Sequence, residues 1–359
     1  MEKEIFIMAV NLAAKYSNKV DERFYAESQA QMGTNQDYEW EGVDTVKVYQ
    51  VDTVPMNDYT RQGASRYGTP TELGNTVQTM QIRRDRSFTF TIDKANRDQT
   101  MMVMEAGKSL SRQEREVVIP EYDRYVFGVQ VAAGIENGNC EIGSASSSTA
   151  YAKFLKGEET LGNNLIPAKG RIAYCSYGFS NLLMLDPAFM KYGDKSQEMV
   201  TKGVLGEVDG IKIVKVPASQ LPFGVSFMIV HPSATVAPQQ LKEYKTHQDP
   251  PGINGNLVEG RHLYDAFILE AKKNGIYVAM LEGTLGTPTV TLAASKPVIA
   301  NKDHYVGGTW KVKAGTTAPN YGDADTGYTE IAESTTITQT SVVAYSVGGK
   351  IVAATVVTV

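Results

Sequence analysis

Two β-rich segments separated by a long polar segment place the strongest constraint on what this chain can fold into. Val43 to Val54 is rich in β-branched residues, which favours a strand. From Ser87 to Ile92, hydroxyl and apolar residues alternate strictly, as expected of a half-buried strand. The intervening tip, about Pro55–Gln78, contains glycines and prolines. We therefore predict an extended β-hairpin, and because an isolated hairpin is only marginally stable in water, it needs a partner surface.

A second segment that needs a partner lies at the N-terminus. Leu12, Tyr16, Val20 and Phe24 recur every four residues, and so narrow an apolar stripe forms a helix only when another surface supports it. We interpret residues 1–40 as an arm that packs on something else. The short apolar run Ile5–Val10 is followed by no small-residue cleavage site, so we expect no signal peptide and a cytoplasmic product.

Two helices are predicted after the hairpin. Asp93 occupies an N-cap position ahead of a helical stretch to about Arg112. Pro120 opens the second helix, since proline is tolerated in a first turn, and Glu121 and Asp123 place negative charge near its positive end. The residues predicted to form one apolar face are Tyr122, Tyr125, Val126, Val129 and Ala133.

Strand-like and helix-like segments alternate in the middle of the chain, which indicates an α/β or α+β lobe. The predicted segments are a helix at Tyr151–Leu161, a strand at Arg171–Tyr177, a helix at Ser180–Met190, a turn and strand within Gly203–Val216, and a strand at Phe227–Val230. After the break at Asp249–Gly252, two further strands are predicted at Tyr264–Leu269 and Gly275–Met280.

The composition changes from about Leu285, where threonine and valine dominate and helical periodicity disappears. Val342–Val347 and Ile351–Val356 flank Gly348-Gly349, which predicts a hairpin with a two-residue turn. We place a small, separable β-sandwich at Leu285–Val359, with a linker at Leu285–Pro288.

The net charge limits the kinds of partner that the chain can bind, and its cysteines indicate the compartment in which it folds. The 359 residues carry a formal net charge of −5 with both signs interspersed, unlike a protein that concentrates basic residues on a nucleic-acid-binding face. Arg83–Arg86 is the densest basic cluster, and we favour ion pairing at a subunit contact over nucleic-acid binding. Cys140 and Cys175 are predicted to be buried, inert thiols of a reducing compartment. No stretch approaches the roughly 20 apolar residues of a membrane-spanning helix.

No pattern in the sequence assembles an active site. The four histidines, at 231, 247, 262 and 304, form no metal-ligand spacing with one another or with a cysteine. His262 precedes Asp265 by three residues, but a structural histidine is favoured over a catalytic dyad. The segment Gly203–Gly210 lacks the ending of a phosphate-binding loop, so its glycines are interpreted as turn residues. We predict no catalytic residues, no metal site and no cofactor.

Several stretches resemble the major capsid proteins of tailed bacteriophages. They are Phe88–Lys94 entering a helix, Val118–Tyr125 starting a helix, Gly206–Gly210 before an apolar strand, His231–Ala234, and Gly260–Phe267. The order of the segments also resembles the Hong Kong 97-type shell fold. The resemblance covers roughly residues 1–282.

The resemblance implies an α+β fold with a defined division of the chain. It consists of an N-terminal arm (1–40), an extended β-hairpin loop (41–92), a peripheral domain with a spine helix (93–140), an axial domain (141–230) and a return to the peripheral domain (231–284). The β-sandwich at 285–359, which we expect to be immunoglobulin-like, lies outside the common shell fold. Because a long scaffolding extension is absent, the resemblance implies a separate scaffolding protein.

The implied function is structural. The chain would assemble in the host cytoplasm into hexamers and pentamers of an icosahedral virion shell around double-stranded DNA, with a portal as a further partner and no membrane or enzymatic role. Three alternatives remain open. An encapsulin-type nanocompartment shares the shell fold; an adhesin would need a secretion signal; and an enzyme built from residues distant in sequence would show activity that tracks the monomer.

Overall fold

The computed structural model describes residues 28–35, 45–95, 106–191 and 206–359. The predicted arm helix with Leu12 and Phe24 lies outside the described residues. The strands described are β1 (Thr45–Val51), β2 (Asn75–Gln81), β3 (Arg84–Asp93), β4 (Cys140–Ile142), β5 (Ile172–Ser176), β6 (Gly206–Val208), β7 (Ile211–Val216), β8 (Phe227–Val230), β9 (Thr235–Val236), β10 (Gln239–Gln248), β11 (Gly255–Tyr264), β12 (Phe267–Ile268), β13 (Ile276–Met280), β14 (Val290–Ala293), β15 (Lys296–Ile299), β16 (Thr309–Ala314), β17 (Thr329–Glu330), β18 (Ser341–Val347) and β19 (Lys350–Val357).

The described helices are α1 (Ala106–Gln113), α2 (Ile119–Glu136), α3 (Ala150–Asn163), α4 (Tyr177–Leu185) and α5 (Pro187–Lys191). Short turns of 3-10 helix cover Ala30–Gly33, Pro232–Ala234, Glu270–Gly275 and Lys302–His304. The chain is therefore of mixed α+β class, as predicted. No helix in these ranges is both long enough and apolar enough to span a membrane.

The extended hairpin exists, but its second strand is not the predicted one. β1 pairs antiparallel with β2, from Thr45 opposite Gln81 to Val51 opposite Asn75. The alternating segment at 87–92 belongs to β3, which instead pairs with β11. The prediction failed because β2 mixes threonine and glutamine with only two large apolar residues, Val77 and Met80, and so looks like part of the polar tip.

The second predicted helix does not begin afresh at Pro120. α1 continues through a π-helical turn, Glu114–Val118, directly into α2. Its buried surface also differs from the predicted face: Phe127, Gln130 and Val131 are fully buried, whereas Tyr125 and Val129 are only partly buried. The helix is covered on several sides, so a single-face pattern describes it poorly.

A six-stranded mixed sheet with the order β4-β13-β8-β5-β7-β6 forms the centre of the molecule. Successive side chains of a strand point to opposite faces, so Met228 and Val230 of β8 join the core beneath α2. Phe227 and Ile229 join a second core with α3 and α4. Most of the strands and helices predicted for residues 151–230 are confirmed within the described ranges, including the turn at Asp209-Gly210 before β7. The single helix predicted at Ser180–Met190 is instead two helices, α4 and α5, because Asp186 between them is extended.

A three-stranded antiparallel sheet, β10-β11-β3, extends from this centre. Phe88, Phe90 and Ile92 pack with Val258 and Leu110 on one face. The predicted strand at Tyr264–Leu269 is shorter than expected: β11 ends at Tyr264, and only Phe267–Ile268 form a strand, which pairs with β9. The predicted cap at Asp93 is confirmed, because its Oδ1 accepts a hydrogen bond from the N–H of Ala95 at 2.8 Å.

The C-terminal segment contains a four-stranded sheet, β17-β16-β18-β19, and the two-stranded β14-β15. The predicted hairpin is confirmed: β18 pairs with β19, and Gly348 and Gly349 adopt positive φ angles in the turn. The predicted linker is not free, however. The N–H of Gly286 donates to the Val352 carbonyl at 3.1 Å, and the ring of Phe223 lies so close that a Cβ at Gly286 would stand 2.0 Å from it.

Candidate subunit-interface surfaces

The tip of the β1–β2 hairpin is an exposed surface rich in large apolar side chains. Met56 is 99% exposed and Tyr67 is 86% exposed. Other exposed apolar side chains of the hairpin are Tyr49, Val51, Val54, Tyr59, Leu73 and Val77. An apolar surface of this kind, projecting on a single loop, is typical of a contact with another molecule.

The tip is held in a defined shape by its own contacts. The rings of Tyr59 and Tyr67 meet edge to face with centroids 5.0 Å apart. The N–H of Thr60 donates to the Arg66 carbonyl at 3.1 Å, and Gly63 adopts a φ of 89° that favours glycine. A loop ordered in this way loses less conformational entropy when it binds a partner.

The base of the hairpin is fixed to the rest of the subunit. The Gln78 amide donates to the Ile268 carbonyl at 3.0 Å and accepts from the N–H of Glu270 at 3.1 Å. Met80 is buried against Val236 and Leu269. The hairpin therefore projects from a rigid attachment.

A buried carboxylate holds the end of the predicted N-terminal arm. Asp123, which is 0% exposed, accepts hydrogen bonds from the Ser28 hydroxyl at 2.7 Å and from the N–H of Gln29 at 3.0 Å. Tyr174 donates to the Gln29 carbonyl at 2.9 Å, and Gln130 donates to the Gly33 carbonyl at 3.1 Å. The dipole role predicted for Asp123 thus misses its main role, which is to anchor residues 28–30.

Burial raises the pKa of Asp123, although hydrogen bonds from Ser28 and from the backbone N–H groups of Gln29 and Ala30 act in the opposite direction. Glu121, the other predicted dipole residue, accepts from the Arg86 guanidinium at 2.6 Å. Sequence spacing could not reveal either partner, because both lie far away along the chain.

The basic cluster Arg83–Arg86 is engaged within the subunit. The N–H of Arg83 donates to Asp265 at 2.7 Å, and the Arg84 guanidinium lies 4.4 Å from the centroid of the Tyr125 ring. Within the same run, Asp85 pairs with Arg261 at 2.6 Å. The predicted ion pairing is thus present inside the chain, while pairing with a neighbouring subunit stays a prediction.

The histidines do not converge on one site. His262 packs on Tyr264 with ring centroids 4.6 Å apart. Asp265, the residue considered as its dyad partner, instead accepts a hydrogen bond from the Tyr125 hydroxyl at 2.5 Å. Burial, and to a smaller extent this hydrogen bond, raises the pKa of Tyr125 to about 12. The Nδ1 atom of His231 and the hydroxyl of Ser233 form a hydrogen bond of 2.7 Å. In the described part of the chain, no cluster of three histidine, cysteine or acidic side chains could hold a metal ion.

The two cysteines are unpaired, as predicted. Cys175 is fully buried, and burial raises its pKa. Burial also raises the pKa of the partly buried Cys140 to about 12. Both thiols therefore stay protonated at neutral pH and are poor nucleophiles.

A cleft of about 940 Å³ lies between α2, the start of β3 and the C-terminal segment. Tyr125 and Val129 line it from α2, and Tyr305 and Trp310 line it from the opposite side. Beside the cleft the two sides touch: a Cβ at Gly307 would lie 2.7 Å from the Ile135 side chain. The sequence offered no signal for this cleft, since its walls come from segments that are about 180 residues apart.

Comparison with known proteins identifies the fold. No protein-family model matches the sequence, and no curated protein matches it either. Among solved structures, one from Mycobacterium phage Che8 superposes with a TM-score of 0.60 at 19% identity, covering 74% of this chain and 96% of that chain. The capsid of Cyanophage P-SCSP1u gives a TM-score of 0.56 at 13% identity, over 75% and 92% of the two chains.

The mature capsid of bacteriophage PhiM1 gives a TM-score of 0.54 at 12% identity, covering 75% of this chain and 91% of that chain. The chain thus has the fold found in phage capsid structures. The resemblance to phage capsid proteins drawn from the sequence is confirmed at the level of the fold.

Proposed function

We propose that this chain is the major capsid protein of a tailed bacteriophage and that many copies of it assemble into an icosahedral shell around double-stranded DNA. The observation that carries the proposal is the combination of the phage-capsid fold with a rigidly based hairpin whose tip exposes large apolar side chains. As in a structural shell protein, the function of the chain is to form contacts between subunits.

The exposed tip explains why assembly is favourable. Burying apolar surface contributes roughly 25 cal/mol per Å² removed from water, and contact with another copy would cover Met56, Tyr67 and Leu73, which are exposed in the described part of the chain. Repeating the same contact around symmetry axes closes a shell in which every hairpin tip is covered.

The proposed division of the chain follows the shell fold. Residues 1–40 form the arm, 41–92 the extended loop, 93–140 the peripheral domain with α2 as its spine helix, 141–230 the axial domain and 231–284 the return to the peripheral domain. Residues 285–359 form an immunoglobulin-like β-rich segment at the outer surface, which shares its apolar core with α2 and the central sheet. About a quarter of the chain lies outside the match to the Che8 structure, a share similar in size to this domain.

The proposed partners follow from the same reasoning. Copies of the chain form hexamers and pentamers, a separate scaffolding protein and a portal guide assembly in the host cytoplasm, and packaged DNA lies nearby without specific binding. The net charge of −5 supports this weak interaction, since it limits adhesion to a polyanion.

The test is to express the chain with and without a candidate scaffolding protein and to examine the product by sedimentation and negative-stain microscopy. We expect closed particles or capsomer-sized oligomers. A variant with Met56→Asp and Tyr67→Asp should remain folded but fail to assemble, whereas Leu165→Asp, a matched control at another side chain that is 91% exposed, should assemble normally. A compact monomer under every condition would contradict the proposal.

A further inference from the structure

A buried carboxylate lies at the point where the extended hairpin joins the rest of the chain. Asp265, which directly follows β11, is 2% exposed. Its Oδ2 atom accepts a hydrogen bond from the N–H of Arg83 at 2.7 Å. Its Oδ1 atom accepts from the Tyr125 hydroxyl of α2 at 2.5 Å and from the N–H of Ala266 at 2.8 Å. One carboxylate therefore connects the hairpin junction, α2 and the end of β11.

The N–H of Arg83 belongs to the short link that sets the direction of the hairpin. Only Ile82 and Arg83 separate β2, a strand of the hairpin, from β3, a strand of the three-stranded sheet. Because each peptide unit is planar, the few backbone dihedral angles of these two residues determine the angle between the hairpin and the sheet. A contact that fixes Arg83 therefore also fixes the direction in which the tip points.

The other contacts at the base hold the hairpin over a short span. Gln78 bonds to the backbone of Ile268 and Glu270, and Met80 packs on Leu269. These two side chains are about 7 Å apart along β2, whereas the tip begins roughly 20 Å from the base, so a displacement at the base is magnified about threefold at the tip. The bond at Arg83 lengthens the attached span to as much as about 16 Å, which reduces the tilt that a given displacement allows.

We infer that Asp265 is a positioning residue for the hairpin, and that its carboxylate holds the link at Arg83 so that the tip keeps one direction relative to α2 and the central sheet. A carboxylate suits this position because both of its oxygens accept, whereas an amide of the same shape offers one acceptor atom. The backbone of Asp265 is itself held, since its N–H donates to the Pro238 carbonyl at 3.3 Å. The inference concerns a single chain and does not depend on the proposed function.

Asp265→Asn separates this role from a general contribution to folding. With its oxygen towards Tyr125 and Ala266, the asparagine keeps two of the three hydrogen bonds. Its amide NH₂ group then faces the N–H of Arg83, which loses its acceptor. Tyr125→Phe is the matched control, because it removes a different donor from the same carboxylate and leaves the bond from Arg83 in place.

Distances between two spin labels, measured on unassembled chains diluted with unlabelled chain, report the direction of the hairpin. One label is placed at Val51→Cys, at the outer end of β1, and the other at Leu165→Cys, after α3; both positions are exposed. The distribution of distances should be narrow in the otherwise unaltered chain, broader with Asp265→Asn, and unchanged with Tyr125→Phe. A second pair, Leu165→Cys and Val359→Cys, avoids the hairpin and should give the same distribution in all three backgrounds.

A chain without introduced cysteines should take up no label, because both native thiols are protonated and at least partly buried. Hydrogen exchange gives a second readout that needs no label. The Arg83 amide should be protected in the unaltered chain, and its protection should fall by about 10- to 100-fold in the Asp265→Asn variant.

Three results would overturn the inference. The first is an unprotected Arg83 amide in the unaltered chain, which would be informative even if the variant failed to fold. The second is an Asp265→Asn distribution as narrow as that of the unaltered chain, which would show that the contacts of Gln78 and Met80 are sufficient. The third is equal broadening of both label pairs, which would reduce Asp265 to a general structural role. Failure of the unaltered chain to assemble would count against the proposed function alone.

Discussion

Asp123→Ala should release the end of the N-terminal arm while leaving the rest of the subunit folded. The carboxylate accepts hydrogen bonds from Ser28 and Gln29 at 2.7 and 3.0 Å, and also from the N–H of Ala30. A hydrogen bond to a charged group contributes about 1.5–3 kcal/mol, and a buried donor left without an acceptor costs about 1–3 kcal/mol. Because Ser28 and Gln29 are partly exposed to water, we expect a total loss of about 2–4 kcal/mol.

Hydrogen exchange at the Gln29 amide measures this loss. Since 1.4 kcal/mol corresponds to a factor of ten, protection at Gln29 should fall by about 30- to 1000-fold in the Asp123→Ala variant. Exchange at β8 should stay unchanged. Ser28→Ala, which removes one donor, serves as the control and should lower protection by about tenfold or less. Unchanged protection at Gln29 in the Asp123→Ala variant would refute the assignment of Asp123 as the anchor.

The contribution of Asp123 to the free energy of unfolding depends on pH, and the direction of that dependence follows from its pKa. Burial raises the pKa of Asp123 in the folded state, so the folded chain binds a proton at this site more tightly than the unfolded chain does. The contribution of Asp123 to the free energy of unfolding therefore increases as the pH falls through the raised pKa towards the unfolded value. Compared with Asp123→Asn, the unaltered chain should gain stability over that acidic range, and chemical denaturation of both at a series of pH values checks the sign.

Two further predictions concern the hairpin tip and the C-terminal segment. Replacing residues 53–73 with Asn-Gly should leave the thermal unfolding midpoint unchanged but abolish particle assembly. The midpoint should not change because the N–H of Asp52 already donates to the Gly74 carbonyl at 3.1 Å and closes the β1–β2 ladder. A large drop in the midpoint would show that the tip supports the core. Truncation after Glu282 should give insoluble protein, because it uncovers Phe223 and the α2 surface at Ile135; a soluble, assembling product would restore the separable domain predicted from the sequence.

The elements with strong local patterns could be predicted from the sequence. β8 is a continuous apolar run, and the glycine pair at 348–349 between two β-rich segments marks a hairpin. The pairing of β3 could not be predicted in this way, because alternation at 87–92 shows that a strand exists but does not identify its partner. The partner, β11, begins 162 residues after the end of β3, at Gly255, and only the folded chain brings the two together.

The arm anchor illustrates a second limit. From the sequence alone, Asp123 lies near a predicted helix N-terminus, where a carboxylate is favourable, and this local role is enough to explain it. In the structure, the helix continues upstream through the π-helical turn, so Asp123 lies well inside it and no longer near its first turn. Its burial makes sense only together with the donors of residues 28–30, which lie more than 90 positions away.

The C-terminal segment shows how a change in composition can suggest a domain boundary where the packing has none. Threonine- and valine-rich strands with few charges differ clearly from the preceding residues, yet Tyr345 and Val352 belong to the same apolar core as Val126 and Val278. A shared core transmits displacement, because closely packed interiors accommodate little local change. A substitution that displaces the C-terminal segment, such as Val352→Ala, should therefore disturb the packing of α2 and of the central sheet at the same time.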